Sequence, residues 1–203
     1  TGIAHTRWAT HGAPAEHNAH PHQSRSIALV HNGIIENHGV LREALAAQGY
    51  VFTSDTDTEV IAHLLQAERD RGGEFRAALT RTLAQLSGAF ALAIVDQEAP
   101  ESLWLARKGS PLVIGVGIGE HFAASDALAL LTVTNRMVYL DEGDIAEVHI
   151  DGYRVWDAQG QPAQRAEQRS SLPLGAVEKG PYRHFMAKEI HEQPQALRQT
   201  LQG

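Results

Sequence analysis

The chain has 203 residues, 43% of them hydrophobic, and a formal net charge of −7 at pH 7. This length suits one sizeable domain or two small ones, and the negative charge argues against nucleic acid and anionic membranes as partners, because their phosphates would be repelled. No apolar run approaches the roughly 18 residues of a membrane span, and no signal peptide is visible, so a cytoplasmic protein is expected.

The first quarter of the chain alternates polar loops with short apolar runs. Residues 1–26 are rich in His, Thr, Gly, Pro and Asn, which predicts a strand followed by a long polar loop. Ile27–His31 is typical of a strand, and the Asn32-Gly33 pair after it is a strong turn signal. The apolar spacing of Val40–Gln48 predicts a helix.

The next segment carries the clearest helix signal. Thr56 and Glu59 fit a capping box, in which each side chain satisfies a free backbone N–H group at the start of a helix. The apolar spacing that follows predicts a helix ending at Gly72. Phe75–Leu86 repeats this spacing, whereas Tyr50–Thr53 is predicted as a brief strand.

From Gly88 onwards, turn residues separate short segments rich in strand formers. Strands are therefore predicted at Ala89–Val95, Ser102–Ala106, Leu112–Val116, His121–Ala124, Met137–Leu140, Ile145–Ile150 and Tyr153–Trp156. Strands, consecutive helices and then more strands indicate an α+β fold with stacked antiparallel sheets. The polar residues 160–183 are predicted to be a linker, and His184–Leu201 a helix broken by Pro194.

Two charged residues are candidates for binding a free amino acid. Arg7 could grip a carboxylate through two parallel hydrogen bonds, although a surface salt bridge is the commoner role of an arginine. Asp57 could bind an ammonium group, although its predicted place in the first helical turn is explained by the helix dipole alone. If both converged on one pocket, they would recognise the two charged ends of an amino acid.

The Asn32-Gly33 pair has a structural and a functional interpretation. The structural one is a hairpin turn. The functional one is an oxyanion hole, in which the asparagine NH₂ group and the glycine N–H group donate to one developing negative oxygen. The dipeptide alone leaves both interpretations open.

Histidines at the start of the chain raise the alternative of a metal site. His11, His17, His20 and His22 match neither the helical i, i+4 pair nor a zinc-finger pattern, and the sequence contains no cysteine. Hydrogen bonding within the loop is therefore the favoured interpretation, and no metal is predicted. The absence of cysteine also excludes disulfides and a thiolate nucleophile from these residues.

Several segments resemble one family in order and spacing. The string HTRWATHG at His5–Gly12 is similar to the glutamine loop of class II glutamine amidotransferases, in the form typical of the glucosamine-6-phosphate synthases (glutamine–fructose-6-phosphate aminotransferases). The other matching segments are Asn18–His22, His31–Asn37, Ser54–Glu59, Gly109–Leu112, Ala124–Asp126, Glu142–Asp144 and the tail His184–Pro194. The tail favours this family over amidophosphoribosyltransferases and asparagine synthetases, which share the glutaminase fold.

The resemblance implies an N-terminal-nucleophile hydrolase fold, an αββα sandwich of two antiparallel sheets, here incomplete at its N-terminus. It further implies a glutaminase domain over residues 1–159, a linker over 160–183 and the start of a sugar-isomerase domain over 184–203. It also implies roles for single residues. Arg7 binds the α-carboxylate of glutamine, and Asp57 binds its α-ammonium group. Thr10 and His11 line the pocket, and Trp8 gates the passage of ammonia. Asn32 and Gly33 form the oxyanion hole.

The family's nucleophile is an N-terminal cysteine activated by its own α-amino group, and this chain has no cysteine. The chain alone is therefore expected to be inactive. Thr1–Ile3 (Thr-Gly-Ile) superficially resemble the Cys-Gly-Ile with which the family's chains begin. However, Thr1–Ala4 match the family's interior at the same spacing, so Thr1 is not expected to act as a nucleophile.

The whole protein, by resemblance, would hydrolyse glutamine, pass ammonia internally and make glucosamine 6-phosphate for amino-sugar synthesis. Fructose 6-phosphate would bind to the isomerase domain, most of which lies outside these residues. A homodimer and no cofactor are implied. The alternatives are a non-catalytic glutamine- or glutamate-binding module, tested by calorimetry, and a histidine-rich metal-binding protein, tested by zinc analysis.

Overall fold

The computed structural model describes residues 1–7, 11–170 and 179–202. Its strands are β1 (His22–Ser24), β2 (Ile27–Ile35), β3 (Gly88–Asp96), β4 (Leu103–Lys108), β5 (Val113–Val116), β6 (His121–Ala124), β7 (Arg136–Tyr139), β8 (Ile145–His149), β9 (Gly152–Trp156), β10 (Pro162–Ala163) and β11 (Glu167–Arg169). Its α-helices are α1 (His38–Ala47), α2 (Glu59–Asp70), α3 (Phe75–Leu83) and α4 (Phe185–Gln202). These elements confirm the predicted α+β class.

The strands form two antiparallel sheets. The first has the spatial order β1-β2-β3-β4-β8-β9-β10, and the second has the order β11-β7-β5-β6. The strands predicted between Ala89 and Trp156 are all present, with ends that differ by at most two residues. Short antiparallel strands can be predicted from sequence because turn residues separate them and consecutive strands in the chain often pair with each other.

Apolar side chains pack in layers on both sides of the first sheet. One core joins this sheet to α2 and α3, and a second core, which includes the fully buried Leu105 and Ile114, fills the space between the sheets. A smaller cluster joins the outer face of the second sheet to a short 3-10 helix at Ala127–Leu130. The layers are therefore helix, sheet, sheet and helical turn, the sandwich that the resemblance implied.

Strand β2 continues through Asn32 and Gly33, so the predicted turn is wrong. Asn32 pairs with Ala91 and Gly33 with Phe90 in a nine-residue register with β3. Gly33 has a φ of +140°, and a Cβ at this position would overlap the backbone carbonyl of Ala89. The conformational freedom that makes glycine a turn signal serves here to let two strands approach closely.

Glu59 begins helix α2, but it does not close the predicted capping box with Thr56. Its carboxylate accepts the backbone N–H groups of Thr53 and Ser54, each at 2.8 Å. Tyr50–Thr53, predicted as a brief strand, is not a strand in the structure. The end of this segment hydrogen bonds to the start of a helix instead of to a sheet.

The predicted linker begins too early. Within residues 160–183, strand β10 pairs with β9, and β11 pairs with β7 at the edge of the second sheet. Polar composition concealed both strands, because strands at sheet edges bury few apolar side chains. The linker can therefore begin only after Arg169, and residues 171–178 lie outside the described residues.

An ion pair ties this segment to the sandwich. The Arg165 guanidinium donates to both carboxylate oxygens of Asp144 at 2.7 and 2.8 Å, and the Asp144 side chain is fully buried. Arg136 and Glu167 make a pair of the same two-bond geometry, but both of these side chains are about a third or more exposed.

We expect Arg165→Ala to lower the free energy of unfolding by about 2 kcal/mol, because it leaves a buried carboxylate without its cation. Urea denaturation of the chain measures this loss. Arg136→Ala is the matched control and should lower stability much less, because exposed pairs contribute little. Equal losses in the two variants would contradict the importance of the buried pair.

Helix α4 runs from Phe185 to Gln202 and includes Pro194, so the predicted break at that proline is not present. The assignment of residues 184–203 to a second domain stays a prediction. No helix in the described parts of the chain is both long enough and apolar enough to cross a membrane.

Candidate functional site

Three separate segments surround a cavity of about 280 Å³. They are the N-terminal loop, the second half of strand β2 and the loop that precedes helix α2. The cavity is lined by His5, Arg7, His11, His20, His31, Asn32, Gly33, Ile34, Thr56, Asp57 and Thr58. Five of the predicted site residues, Arg7, His11, Asn32, Gly33 and Asp57, thus line one space, whereas Trp8 and Thr10 lie outside the described residues.

Asp57 places a buried carboxylate at this cavity. One oxygen accepts the backbone N–H group of Ile35 at 2.8 Å, which fixes the side chain against strand β2. The other oxygen lies 3.7 Å from Nδ1 of His11, beyond hydrogen-bond distance, and no described residue donates to it. Only 3% of Asp57 is exposed, so this oxygen is a buried negative group that a cation in the cavity can approach.

Arg7 closes the N-terminal loop on itself. Its guanidinium donates to the backbone carbonyls of His11, Gly12 and Ala13 at 2.9 to 3.2 Å, and its φ is +49°. A guanidinium has five N–H donors, and two of them, including that on Nε, have no acceptor among the described residues. Arg7 therefore holds the loop and keeps donors for an anion.

Asn32 lies on β2 with its side chain at the edge of the cavity. Its Oδ1 is 2.8 Å from Nε2 of His5. Asn32, His5 and His31 also line a second cavity of about 880 Å³, which lies between the two sheets and includes Thr1. The amide of Asn32 therefore stands where the small polar cavity meets the larger one.

The histidines near the cavity bond to threonine hydroxyls. The Thr58 hydroxyl is 3.0 Å from Nδ1 of His31 and 3.2 Å from Nε2 of His20, and Thr56 is 3.0 Å from Nε2 of His22. In the described part of the chain, no three histidine or carboxylate side chains are arranged to hold a metal ion. His20 and His22 therefore bond to the segment before helix α2 rather than within the N-terminal loop, as the favoured interpretation had expected.

Burial keeps three of these histidines neutral at pH 7. It lowers the pKa of His20 to about 3, helped by repulsion from neighbouring histidines. Burial also lowers the pKa values of His22 and His31, although the negative charges of Glu59 and Asp57 oppose it.

We therefore expect the free energy of unfolding to fall as the pH drops below 6.5, the ordinary histidine value. The unfolded histidines bind more protons there than the folded ones do, so protonation favours unfolding. Urea denaturation at pH 7 and about pH 5 measures this loss. His20→Gln should flatten the pH dependence, and a stability that rises on acidification would contradict the expectation.

Two buried carboxylates with lowered pKa values, Glu59 and Glu68, affect stability at lower pH. Burial by itself raises the pKa values of Glu59 and Glu68, but hydrogen bonds from neighbouring side chains and backbone groups lower them overall. Their contribution to stability is complete above the ordinary carboxyl value of 4.5 and is lost only below it. Between pH 6.5 and 4.5 the loss is therefore expected from the histidines rather than from Glu59 and Glu68.

Sequence reasoning gave no role to His5, His31 or Thr58, although each lies inside a segment that carried the resemblance. One signal was available for His31. It ends the apolar run Ile27–His31, and a polar residue at a buried strand position needs a hydrogen-bond partner.

The chain is similar to known glutamine amidotransferases in sequence. Residues 5–132 match the family model described as a glutamine amidotransferase domain. The chain is 56% identical over all 203 residues to the glutamine–fructose-6-phosphate aminotransferase (isomerizing) of Escherichia coli (strain K12), and 57% identical to that of Vibrio cholerae. It spans 33% of the length of each of these relatives.

The fold is similar to that of two solved structures. One is the glutamine phosphoribosylpyrophosphate amidotransferase from B. subtilis complexed with ADP and GMP, with a TM-score of 0.63, 26% identity, and coverage of 76% of this chain and 34% of that one. The other is an allosteric regulatory enzyme of purine biosynthesis, with a TM-score of 0.62, 28% identity and the same coverage of both chains.

Proposed function

This chain belongs to the glutamine amidotransferase domain family, and on that premise we propose that its 280 Å³ cavity binds free glutamine for hydrolysis of the side-chain amide. One observation carries the proposal. Groups suited to each polar part of glutamine line a single cavity, although they come from three separate segments of the chain. These groups are a guanidinium with uncommitted donors, a buried carboxylate with an uncommitted oxygen, and an asparagine amide.

In this proposal, Arg7 binds the α-carboxylate of glutamine and Asp57 binds its α-ammonium group. Charge-assisted hydrogen bonds of this kind are stronger than neutral ones, and both ends must be present for a ligand to use them. His11, whose carbonyl accepts from Arg7 and whose ring lies 3.7 Å from Asp57, lines the pocket with them. Trp8 and Thr10 keep their proposed roles as gate and pocket wall, respectively.

The amide end of glutamine then faces Asn32 and Gly33. When a thiolate attacks the amide carbon, the carbonyl oxygen gains negative charge, and donors already in place stabilise it without reorganisation. The NH₂ group of Asn32 and the N–H group of Gly33 are the proposed donors. The thiol itself would come from an N-terminal cysteine outside these residues, because this chain has none.

The proposal extends to the protein that contains this chain. That protein would be a glutamine–fructose-6-phosphate aminotransferase (isomerizing), as its relatives are named, acting in the cytoplasm as a homodimer. Residues 184–203 would begin the domain that binds fructose 6-phosphate and uses the ammonia. The 203-residue chain alone would bind glutamine without hydrolysing it.

Asp57→Asn provides a direct test of binding in the chain itself. The asparagine oxygen can still accept the N–H group of Ile35, but the negative charge is lost. We expect the Kd for glutamine, measured by calorimetry, to rise roughly 10- to 100-fold, the equivalent of one charged hydrogen bond. Glu43→Gln, an exposed carboxylate on α1, is the matched control and should leave the Kd unchanged.

An analogue separates recognition of the ammonium group from general damage. Glutaramate is glutamine without its α-amino group, so it should bind equally to the original chain and to Asp57→Asn. If the variant loses affinity for both ligands equally, Asp57 does not recognise the ammonium group. If the unmodified chain binds neither glutamine nor glutamate, the binding part of the proposal fails.

A further inference from the structure

His5 hydrogen bonds at the same time to the backbone of Arg7 and to the side chain of Asn32. Its Nδ1 accepts the backbone N–H group of Arg7 at 2.9 Å, and its Nε2 lies 2.8 Å from Oδ1 of Asn32. The ring thus joins the N-terminal loop to strand β2 inside the proposed site. No role follows for His5 from binding glutamine, because both of its nitrogens are already committed.

These two contacts fix the tautomer of the ring. A backbone N–H group can only donate, so Nδ1 of His5 must be unprotonated. The proton of the neutral ring is then on Nε2, which must donate, and its partner on Asn32 must be an acceptor. The acceptor of an asparagine side chain is Oδ1. The oxygen and nitrogen of an asparagine amide have nearly the same shape. The hydrogen bonds of His5 therefore decide which of the two faces the ring, and they set the orientation of the Asn32 amide.

We propose that His5 is a positioning residue that holds the Asn32 amide with its NH₂ group free to donate to the oxyanion. With Oδ1 bound to His5, rotation of the amide by half a turn would place NH₂ against the Nε2–H group, two donors facing each other. The opposite orientation is thus disfavoured, and it is the one that would present a carbonyl oxygen to the developing negative charge. The inference rests on the proposed function.

The same ring also links the two ends of the proposed glutamine site. Its Nδ1 holds the backbone of Arg7 at a φ of +49°, a conformation that residues other than glycine adopt only when surrounding contacts hold them. Arg7 then donates to the carbonyls of residues 11–13. One imidazole therefore supports the carboxylate-binding loop through Nδ1 and the oxyanion donor through Nε2.

Two substitutions separate these bonds. The side-chain NH₂ group of glutamine can take the place of Nε2–H, so His5→Gln preserves the bond to Asn32. The side-chain oxygen of asparagine can take the place of Nδ1, so His5→Asn preserves the bond to Arg7. The assay protein is the E. coli relative in which this chain replaces the matching 203 residues. The rest of that relative supplies the N-terminal cysteine and the remaining domain.

We expect His5→Asn to lower the kcat of glutamine hydrolysis between about tenfold and a hundredfold, less than complete loss of an oxyanion donor, with little change in the Kd for glutamine. His5→Gln should retain kcat within about threefold and weaken glutamine binding instead. In an Asn32→Ala background, His5→Asn should have no further effect on kcat, because the group it positions is gone.

A second measurement reads the tautomer directly. In the 203-residue chain, ¹⁵N NMR should show the His5 ring protonated on Nε2 and not on Nδ1, with the signal assigned by its loss in His5→Gln. A ring protonated on Nδ1 would overturn the inference. So would equal kcat values for His5→Asn and His5→Gln, or an undiminished effect of His5→Asn in the Asn32→Ala background. If the unsubstituted assay protein releases no ammonia, the proposed function fails, and the role built on it fails too.

Discussion

Replacing Gly33 by alanine is expected to destabilise the chain by at least about 3 kcal/mol, from backbone strain together with overpacking. Its φ of +140° is disfavoured for a residue with a side chain. The new methyl group would also meet the backbone carbonyl of Ala89, on the strand paired with β2. Ala89 pairs with Ile34 in the ladder between β2 and β3, so its carbonyl cannot rotate away without disturbing that ladder, and the two strands would have to separate.

Gly39→Ala is the matched control for Gly33→Ala. Gly39 lies in helix α1, and nothing within 4 Å would meet its Cβ. Alanine is the better helix former, so this variant should gain about 0.5 to 1 kcal/mol. Urea denaturation measures both changes. A Gly33→Ala chain as stable as the original would show that β2 and β3 are not held as closely as the structure has them.

Asn32→Asp should reduce the kcat of glutamine hydrolysis by at least about 10²- to 10³-fold in the assay protein defined above, because repulsion adds to the usual effect of losing one oxyanion donor. Aspartate has nearly the same shape as asparagine and can still accept the proton of His5. It has no NH₂ group, however, and its negative charge would repel the oxyanion. The Kd for glutamine should change much less than kcat, because the donor acts mainly in the transition state.

Asn32→Ala separates the two causes of that loss. It removes the donor without adding a charge, so its kcat should lie between those of the original protein and Asn32→Asp. Arg154→Ala, an exposed arginine on β9, serves as a control for substitution in general and should retain full activity. If either Asn32 variant keeps kcat within about threefold of the original, Asn32 is not an oxyanion donor.

Sequence patterns predicted the strands between Ala89 and Trp156 and helix α2 correctly because local signals and tertiary packing agree there. They failed where long-range pairing overrode a local signal. Asn32-Gly33 is a turn dipeptide, yet β3 pairs with it residue by residue. Glu59 matched a capping motif, yet its carboxylate bonds to Thr53 and Ser54. Neither pairing can be read from a window of neighbouring residues.

For the candidate site, sequence reasoning identified the residues that would touch glutamine but not those that support them. Arg7 and Asp57 were candidates because a guanidinium and a carboxylate suit the two charged ends of an amino acid, and the resemblance implied those roles. His5 did not, because its importance depends on Asn32, 27 residues away along the chain. Such supporting contacts become visible only when the fold brings separate segments together. The roles of Arg7, Asp57 and Asn32 themselves stay predictions until binding and hydrolysis are measured.

The ion pair between Arg165 and Asp144 has a practical consequence for any shortened version of this protein. A chain cut at residue 159, the domain end expected from sequence, would lose strand β11 from the edge of the second sheet. It would also lose Arg165 and so leave the buried Asp144 carboxylate without its cation. The smallest unit to express for crystallisation or binding work should therefore extend at least to Arg169.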